Sequence, residues 1–415
     1  MTRREFSQPP ASRLSLCGLS LVNFFLAEVV GVIIPFLSDF LRQNSWSYER
    51  IGVVAAAAGF GTLIFQTPAG LIADRVTSRR LLLGVVSILL GACYTIIPKV
   101  ADHHFLVIFL VFISGMCAAF FAPLLATLAL SLVSRVHLDR TMGINQGWNH
   151  AGNIAAALVS LAVVSLASID TVFYVMGAVS LLAAATLLLI RSRELNPDLS
   201  REKTGPERAA NQVVLGTDPT LSGLLREPAV RTLILCVGLF HLANAPVMPM
   251  VALYLKSLGG KDSQVAMVVL LAQSVMVPVA YLAGIYCTNW GRKVVFSVAF
   301  LVLPLRIFLY AITVEPRLLL AIQLLDGIGA GIYGVVIALI CSDMTRGREG
   351  FNTLMGLAET AHAAGGAAGP LMQGFLIQDL GFPQAFIFFS AVAALGAFIF
   401  ITRMPETRTL SRAQL

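Results

Sequence analysis

The sequence predicts an all-α polytopic membrane protein, with twelve transmembrane helices arranged as two pseudo-symmetric six-helix bundles. Three observations carry this. Of 415 residues, 57% are hydrophobic and only 12% charged, with a mean hydropathy of +0.83, whereas soluble globular chains carry about 25% charged residues. Twelve apolar runs can each cross a hydrocarbon core of roughly 30 Å, which takes about 20 residues of helix. The one long hydrophilic interruption, Arg191 to Pro228, follows the sixth run.

The runs lie at about 14–40, 50–73, 81–98, 105–133, 143–168, 171–190, 231–255, 263–287, 294–313, 317–341, 352–377 and 383–402. Lipid cannot satisfy exposed backbone amides, and these runs are too long and too uniformly apolar for barrel strands, so each is a helix. The first run is far longer than the roughly 7–15-residue apolar core of a cleavable signal, and no small-residue cleavage site follows it. It reads as an uncleaved first span.

Lys and Arg concentrate on the cytoplasmic side of membrane proteins. With the N-terminus inside, 22 of the 29 basic residues fall on inner segments, Arg75, Arg79, Arg80, Arg292 and Lys293 among them. Six fall on outer loops, and Arg306 lies within a span. Both termini and the Arg191–Pro228 linker are therefore expected in the cytoplasm, the chain lying in the inner or plasma membrane of a bacterium. The formal charge of +7 needs no nucleic acid, because basic residues face an anionic leaflet. The six cysteines, Cys17, Cys93, Cys117, Cys236, Cys287 and Cys341, fall in or at the ends of apolar runs without paired spacing or companion histidines. No metal, cofactor or disulfide framework is expected.

The linker divides the chain into an N-terminal bundle (1–190), the linker (191–228) and a C-terminal bundle (229–415). Offset by about 214 residues, the halves match weakly and in order: "PFLSDFL" from Pro35 against "PMVALYL" from Pro249, "GLIADRVTSRR" from Gly70 against "GIYCTNWGRK" from Gly284, and "TMGINQGWNH" from Thr141 against "LMGLAETAHA" from Leu354. Duplicated halves are the architecture of many secondary transporters, with a substrate site expected between them near the midplane.

The segment after the second run ends an apolar helix in Gly70, Asp74 and Arg75 and continues Thr77, Ser78, Arg79, Arg80. It resembles the G-x-x-x-D-R signature of the major facilitator superfamily, with Thr or Ser where that family usually has Gly. The second half carries the complementary remnant, Gly284 and then Gly291, Arg292, Lys293. "QLLDGIGAGIYG", Gln323 to Gly334, resembles the family's fourth-helix motif displaced to the tenth helix, while Val111 stands where the fourth helix would carry arginine. "GGAAGPLMQG", Gly365 to Gly374, resembles its antiporter motif, displaced to the eleventh helix. The resemblance covers the whole chain and is nearest the twelve-helix, proton-linked efflux branch. It implies alternating access, a gate built on Gly70, Asp74, Arg75, Arg79 and Arg292, and protons as co-substrate.

Physically, Asp74 at a helix end can pair with arginines and with a neighbouring helix N-terminus, each contact contributing about 0.3–2 kcal/mol. A few such contacts bias two conformations that differ by only a few kcal/mol. The bland alternative makes the arginines topology anchors.

Charges inside spans carry more information, because each costs about 2.5–3.5 kcal/mol on insertion scales. Glu28 in the first span, Asp326 in the tenth and Glu359 in the eleventh are the acids. A carboxylate alternately exposed to water and to an apolar cavity can carry a proton. Glu28 is the leading candidate, since family exporters often bear an acid in the first helix; hydrogen bonding to Asn149 or His150 is the structural alternative. His362, near Glu359, could tune it or relay its proton, or simply bond a backbone carbonyl. Arg306 should pair with Asp326, or else contact substrate. The cavity is expected to be lined by Asn23, Gln66, Asn145, Gln146, Trp148, Asn149, His241, Asn244 and Gln273, a set that suits an amphipathic or weakly polar solute. Interhelical hydrogen bonds draw on the same residue types.

"GAGIYG", Gly329 to Gly334, spells G-x-G-x-x-G but lies inside an apolar span with no preceding strand, so close helix packing is the better reading. "LGGKDS" around Lys261 lacks the spacing of a phosphate-binding loop. Neither H-E-x-x-H nor G-x-S-x-G occurs, so no enzyme is expected. The sequence therefore points to a monomeric exporter that exchanges a small molecule for protons across the lipid bilayer. Import of a small metabolite or siderophore-like compound, by symport or facilitation, is the alternative.

Overall fold

The computed structural model describes residues 11–76, 78–133, 135–195, 221–345 and 351–408. Within its helices the side chains of Glu28, Asp74, Arg75 and Gln146 lie outside the described set. Regular structure among the described residues is helical throughout.

The first three spans are Arg13–Gln43, Tyr48–Arg75 and Arg79–Ile96. The fourth is broken at Phe120 into His104–Ala119 and Phe121–Leu132, just ahead of Pro123, which cannot donate to the preceding turn. Arg135–Leu166 and Ile169–Thr186 complete the first half. After a short helix, Leu221–Arg226, the seventh span is broken at Ala245–Pro246 into Pro228–Asn244 and Val247–Ser257. Asp262–Trp290 and Arg292–Ile312 follow, meeting at Gly291, whose φ of 98° favours glycine. The tenth span breaks at Gln323 into Pro316–Ile322 and Leu324–Met344, and Phe351–Leu380 and Phe382–Arg403 close the chain.

Ten helices among the described residues are long and apolar enough to cross a membrane. The first span contributes a shorter apolar stretch, Arg13–Ala27. The eleventh helix has the length, 30 residues, but Glu359, His362, Gln373 and its small residues dilute its apolarity.

The chain forms two compact units, Met1–Ile33 with Phe60–Val214 and Ile34–Gly59 with Leu215–Leu415. In the first, the third span packs on the fourth and sixth. In the second, the eighth packs on the tenth, the ninth on the twelfth and the seventh on the eleventh. Residues 34–59 group with the second unit because small residues let backbones meet: a Cβ on Gly52 would lie 2.7 Å from Pro370 O. The Tyr48 ring also packs edge-on against Phe382 at 5.2 Å, and Tyr48 N donates to Gln378 Oε1 at 3.2 Å.

The glycines of the displaced antiporter-like motif serve the same purpose. A Cβ on Gly365 would sit 2.6 Å from Leu242 N, so the eleventh helix lies directly on the seventh. Of the three glycines in "GAGIYG", close packing accounts for Gly331, which faces Met276 O, while Gly329 and Gly334 have open space around them.

Candidate functional site

The described polar side chains gather in several places in each unit. In the first unit a cavity of about 300 Å³ opens between the first, fourth and fifth spans, lined by Asn23, Leu26, Ala27, Ala118, Phe121, Ala122, Leu125, Ala126, Asn145 and Asn149. Among the described residues of the lining, the polar side chains are three carboxamides on otherwise apolar walls. Asn23 lies one turn after Leu19 and donates from Nδ2 to its carbonyl at 2.8 Å. Asn149 Oδ1 accepts from Asn153 Nδ2 at 3.4 Å. The walls come close because Gly152 lies against the Phe24 carbonyl, where a Cβ would collide with the oxygen. Trp148 stands outside this lining, 41% exposed and edge-on to Phe24 at 6.1 Å. Gln66 is half-buried on the second span and does not line the cavity either. The backbone of Glu28 follows the lining residues Leu26 and Ala27 directly.

At one end of the same unit the loop after the second span forms a second pocket, of about 420 Å³, with Ser78, Arg79, Arg80, Ser131 and Ser192 among its walls. Arg79 is no free surface anchor: it is 5% exposed, donating from Nε to Ala73 O at 3.1 Å and from Nη1 to Ser131 Oγ at 2.8 Å. Arg80 donates to Ile190 O. Gly70 has open space around it. The related loop in the second unit is tied by charge. Arg292 Nε meets Asp343 Oδ2 at 2.8 Å, while the Glu406 carboxylate accepts from the backbone N–H of Arg292 at 2.9 Å and of Lys293 at 3.0 Å. Two donors that a helix start leaves unpaired are thereby satisfied. Sequence reasoning missed Glu406, since a carboxylate beyond the last span carries no local sign of the helix it caps.

A buried polar chain runs through the second unit. Arg306, 2% exposed, is ion-paired to Asp326 and donates from Nη2 to Asn244 Oδ1 at 2.6 Å. Gln323 Nε2 donates to Asp326 Oδ2 at 3.0 Å, and the Tyr310 hydroxyl donates to Gln323 Oε1 at 2.6 Å. The break at Gln323 turns that side chain inward. Asn244, expected in the cavity lining, is instead a partner of the buried cation.

A further cluster joins the seventh, tenth and eleventh spans. His241 and His362 stack with ring centroids 3.7 Å apart, and the Tyr333 ring stands edge-on to His241 at 4.6 Å. His362 Nδ1 lies 3.4 Å from Glu359 Oε2. Gln273 on the eighth span is half-buried, its Oε1 without a hydrogen-bond partner. Sequence reasoning also passed over Asp39, 1% exposed near the end of the first span, whose Oδ2 accepts from Gln43 at 3.2 Å. Nearby, Lys256 pairs with Asp262 at 2.5 Å.

Twelve-span helical chains that hide amides and ion pairs from lipid, around a small cavity within the bundle, are built to pass solutes rather than transform them. The class is that of multi-pass membrane transporters of small molecules, not enzymes. The chain belongs to the Major Facilitator Superfamily, whose family model matches residues 16–243 and 233–414. It is 34% identical over 397 residues to an uncharacterized MFS-type transporter of Mycobacterium tuberculosis, covering 94% of this chain and 93% of that one. Over 164 residues, 39% of this chain and 41% of the other, it is 28% identical to the multi-drug resistance efflux pump PmrA of Streptococcus pneumoniae. Among solved structures, the nucleoside transporter NupG shares the fold, with a TM-score of 0.74 at 14% identity, covering 94% of this chain and 99% of that one.

Proposed function

We propose that the protein exports a small, amphipathic or weakly polar molecule by alternating access, in exchange for protons. The cavity of the first unit is the observation that carries this reading: three carboxamides, Asn23, Asn145 and Asn149, on apolar walls, with no charged residue among the described residues of its lining. Carboxamides donate and accept at once, so they hold a neutral polar edge, while Leu26, Phe121 and Leu125 favour the apolar remainder of the solute. The described residues of that lining offer a highly charged solute no counter-ion.

Export is supported by the partial likeness to an efflux pump and by an acid, Glu28, one residue beyond the lining. In this reading Glu28 takes a proton when the cavity opens to the outside and releases it inside as substrate binds. Glu359 and His362 are the second candidates. Asp74 and Arg75, with Arg79 and Arg292 on the two related loops, form the gate. The protein is a monomer of the bacterial inner membrane with both termini in the cytoplasm; a reporter fused to the linker that reads outside the cell would overturn that orientation.

Inside-out vesicles with an imposed pH gradient test the whole proposal, screened with drugs, dyes, siderophore-like compounds and organic acids. Accumulation of a weakly polar solute driven by the gradient, lost in Glu28→Gln, is the expected result. Uptake in the opposite direction would favour import, and a Gln variant that still concentrates solute would remove Glu28 from the mechanism.

A further inference from the structure

The histidine stack in the second unit has properties that helix packing alone does not require. His241 is 7% exposed, and its Nε2 is buried without a hydrogen-bond partner. Its ring lies face to face with His362, at 3.7 Å and an interplanar angle of 21°. His362 and Glu359, by contrast, are open, with side chains 44% and 42% exposed. The His362 side of the stack is therefore open while His241 is buried, with Phe240 edge-on to it at 5.3 Å and itself stacked on Tyr333 at 5.2 Å.

We propose that Glu359, His362 and His241 form one site in which the two stacked imidazoles together take up a single proton, carried on His362. A proton from water adds to the lone pair of His362 Nδ1, and the resulting N–H points at Glu359 Oε2, 3.4 Å away. The positive charge spreads over the His362 ring, neutralised on one side by the carboxylate. Neutral His241 offers its π face to that cation, a favourable contact. A second proton is refused, because two cationic rings in van der Waals contact repel strongly where water is scarce. The titratable groups facing the stack among the described residues are Glu359 on its own helix and Tyr333 on the tenth, with Cys341 further along the tenth. From the ninth span, Phe296 meets Tyr333 at 5.7 Å and Phe300 meets Phe240 at 5.2 Å, neither of them titratable. Glu359 and His362 are the proton-binding groups, and His241 is a positioning residue. Protonation therefore sets how firmly the eleventh helix grips the seventh.

The use of this site in coupling rests on the proton-linked transport proposed above; the shared proton does not. The test needs no substrate: the full-length protein in nanodiscs, its six histidines labelled with ¹⁵N, is titrated by NMR from pH 5 to 8. The expected result is one proton for the pair, with the His241 and His362 resonances moving at a single midpoint. Glu359→Gln should weaken that proton's binding tenfold or more, and His241→Phe, which keeps a flat ring, should change the His362 midpoint. Two rings that each take a proton, or a His362 midpoint unmoved in both variants, would overturn the proposal. If the shared proton is found but Glu359→Gln still couples transport to the pH gradient, the site stands and its role in coupling falls.

Discussion

Replacing Asp326 with Asn should destabilise the protein more than replacing Arg306 with Met, although both remove the same ion pair. Arg306 is 2% exposed and Asp326 9%, so either change leaves its partner in a low-dielectric site, which costs about 3–5 kcal/mol. The partners differ in what they can do next. Without Arg306, the carboxyl of Asp326 still accepts from Gln323 at 3.0 Å and can shed its charge by taking up a proton. Without Asp326, the guanidinium keeps, among the described residues, the Asn244 bond at 2.6 Å, its Nε is already unpartnered there, and it cannot deprotonate. Arg306→Met therefore belongs near the lower end, about 3 kcal/mol, and Asp326→Asn near the upper, about 5 kcal/mol. At roughly 1–2 °C per kcal/mol for a chain of 415 residues, the thermal midpoint of the detergent-solubilised protein should fall about 3–6 °C for the first and 5–10 °C for the second. The double variant should recover part of the loss, since it leaves no unpaired charge. Strictly additive losses, or an Arg306→Met protein less stable than Asp326→Asn, would refute the reasoning.

Asp74→Asn should sharply reduce transport while expression and substrate binding persist; turnover at the wild-type rate would reduce the loop to an anchor. Glu194, outside the spans, accepts from Ser12 N at 3.0 Å and Ser12 Oγ at 2.8 Å, and those bonds, the backbone one foremost, hold its carboxyl below the usual range. That stabilisation is present above the ordinary carboxylate range and is lost as pH falls through the lowered one; thermal midpoints measured down to pH 3 should show an acid-side loss in the wild type that Glu194→Gln lacks. Gly152→Ala places a methyl against the Phe24 carbonyl, forcing the first and fifth spans apart; a loss of about 1–3 kcal/mol and weakened transport are expected, and an unchanged thermal midpoint would show that the contact yields freely.

Hydrophobic run length and basic-residue placement are local quantities, so the helical membrane fold and the family signature are legible along the chain. The sequence alone also marked Arg306 and Asp326, because a charge in an apolar run must find a partner and the next helix offers one. Which polar residues meet is not a local quantity. Nothing along the chain places His362 on the face of His241, about 120 residues earlier, or turns Asn244 from the cavity to Arg306. Nor does it show that Glu406, beyond the last span, satisfies the first N–H groups of the ninth helix. Those pairings depend on helix rotation and on how closely backbones approach. Small residues such as Gly152 and Gly365 decide that approach only once the neighbouring helix is in place. The sequence therefore determined how many times the chain crosses the bilayer and which groups would be costly there, because transfer from water to lipid acts on each segment separately. The tertiary structure decided which of those groups neutralise one another, because that depends on distances between segments far apart in the chain.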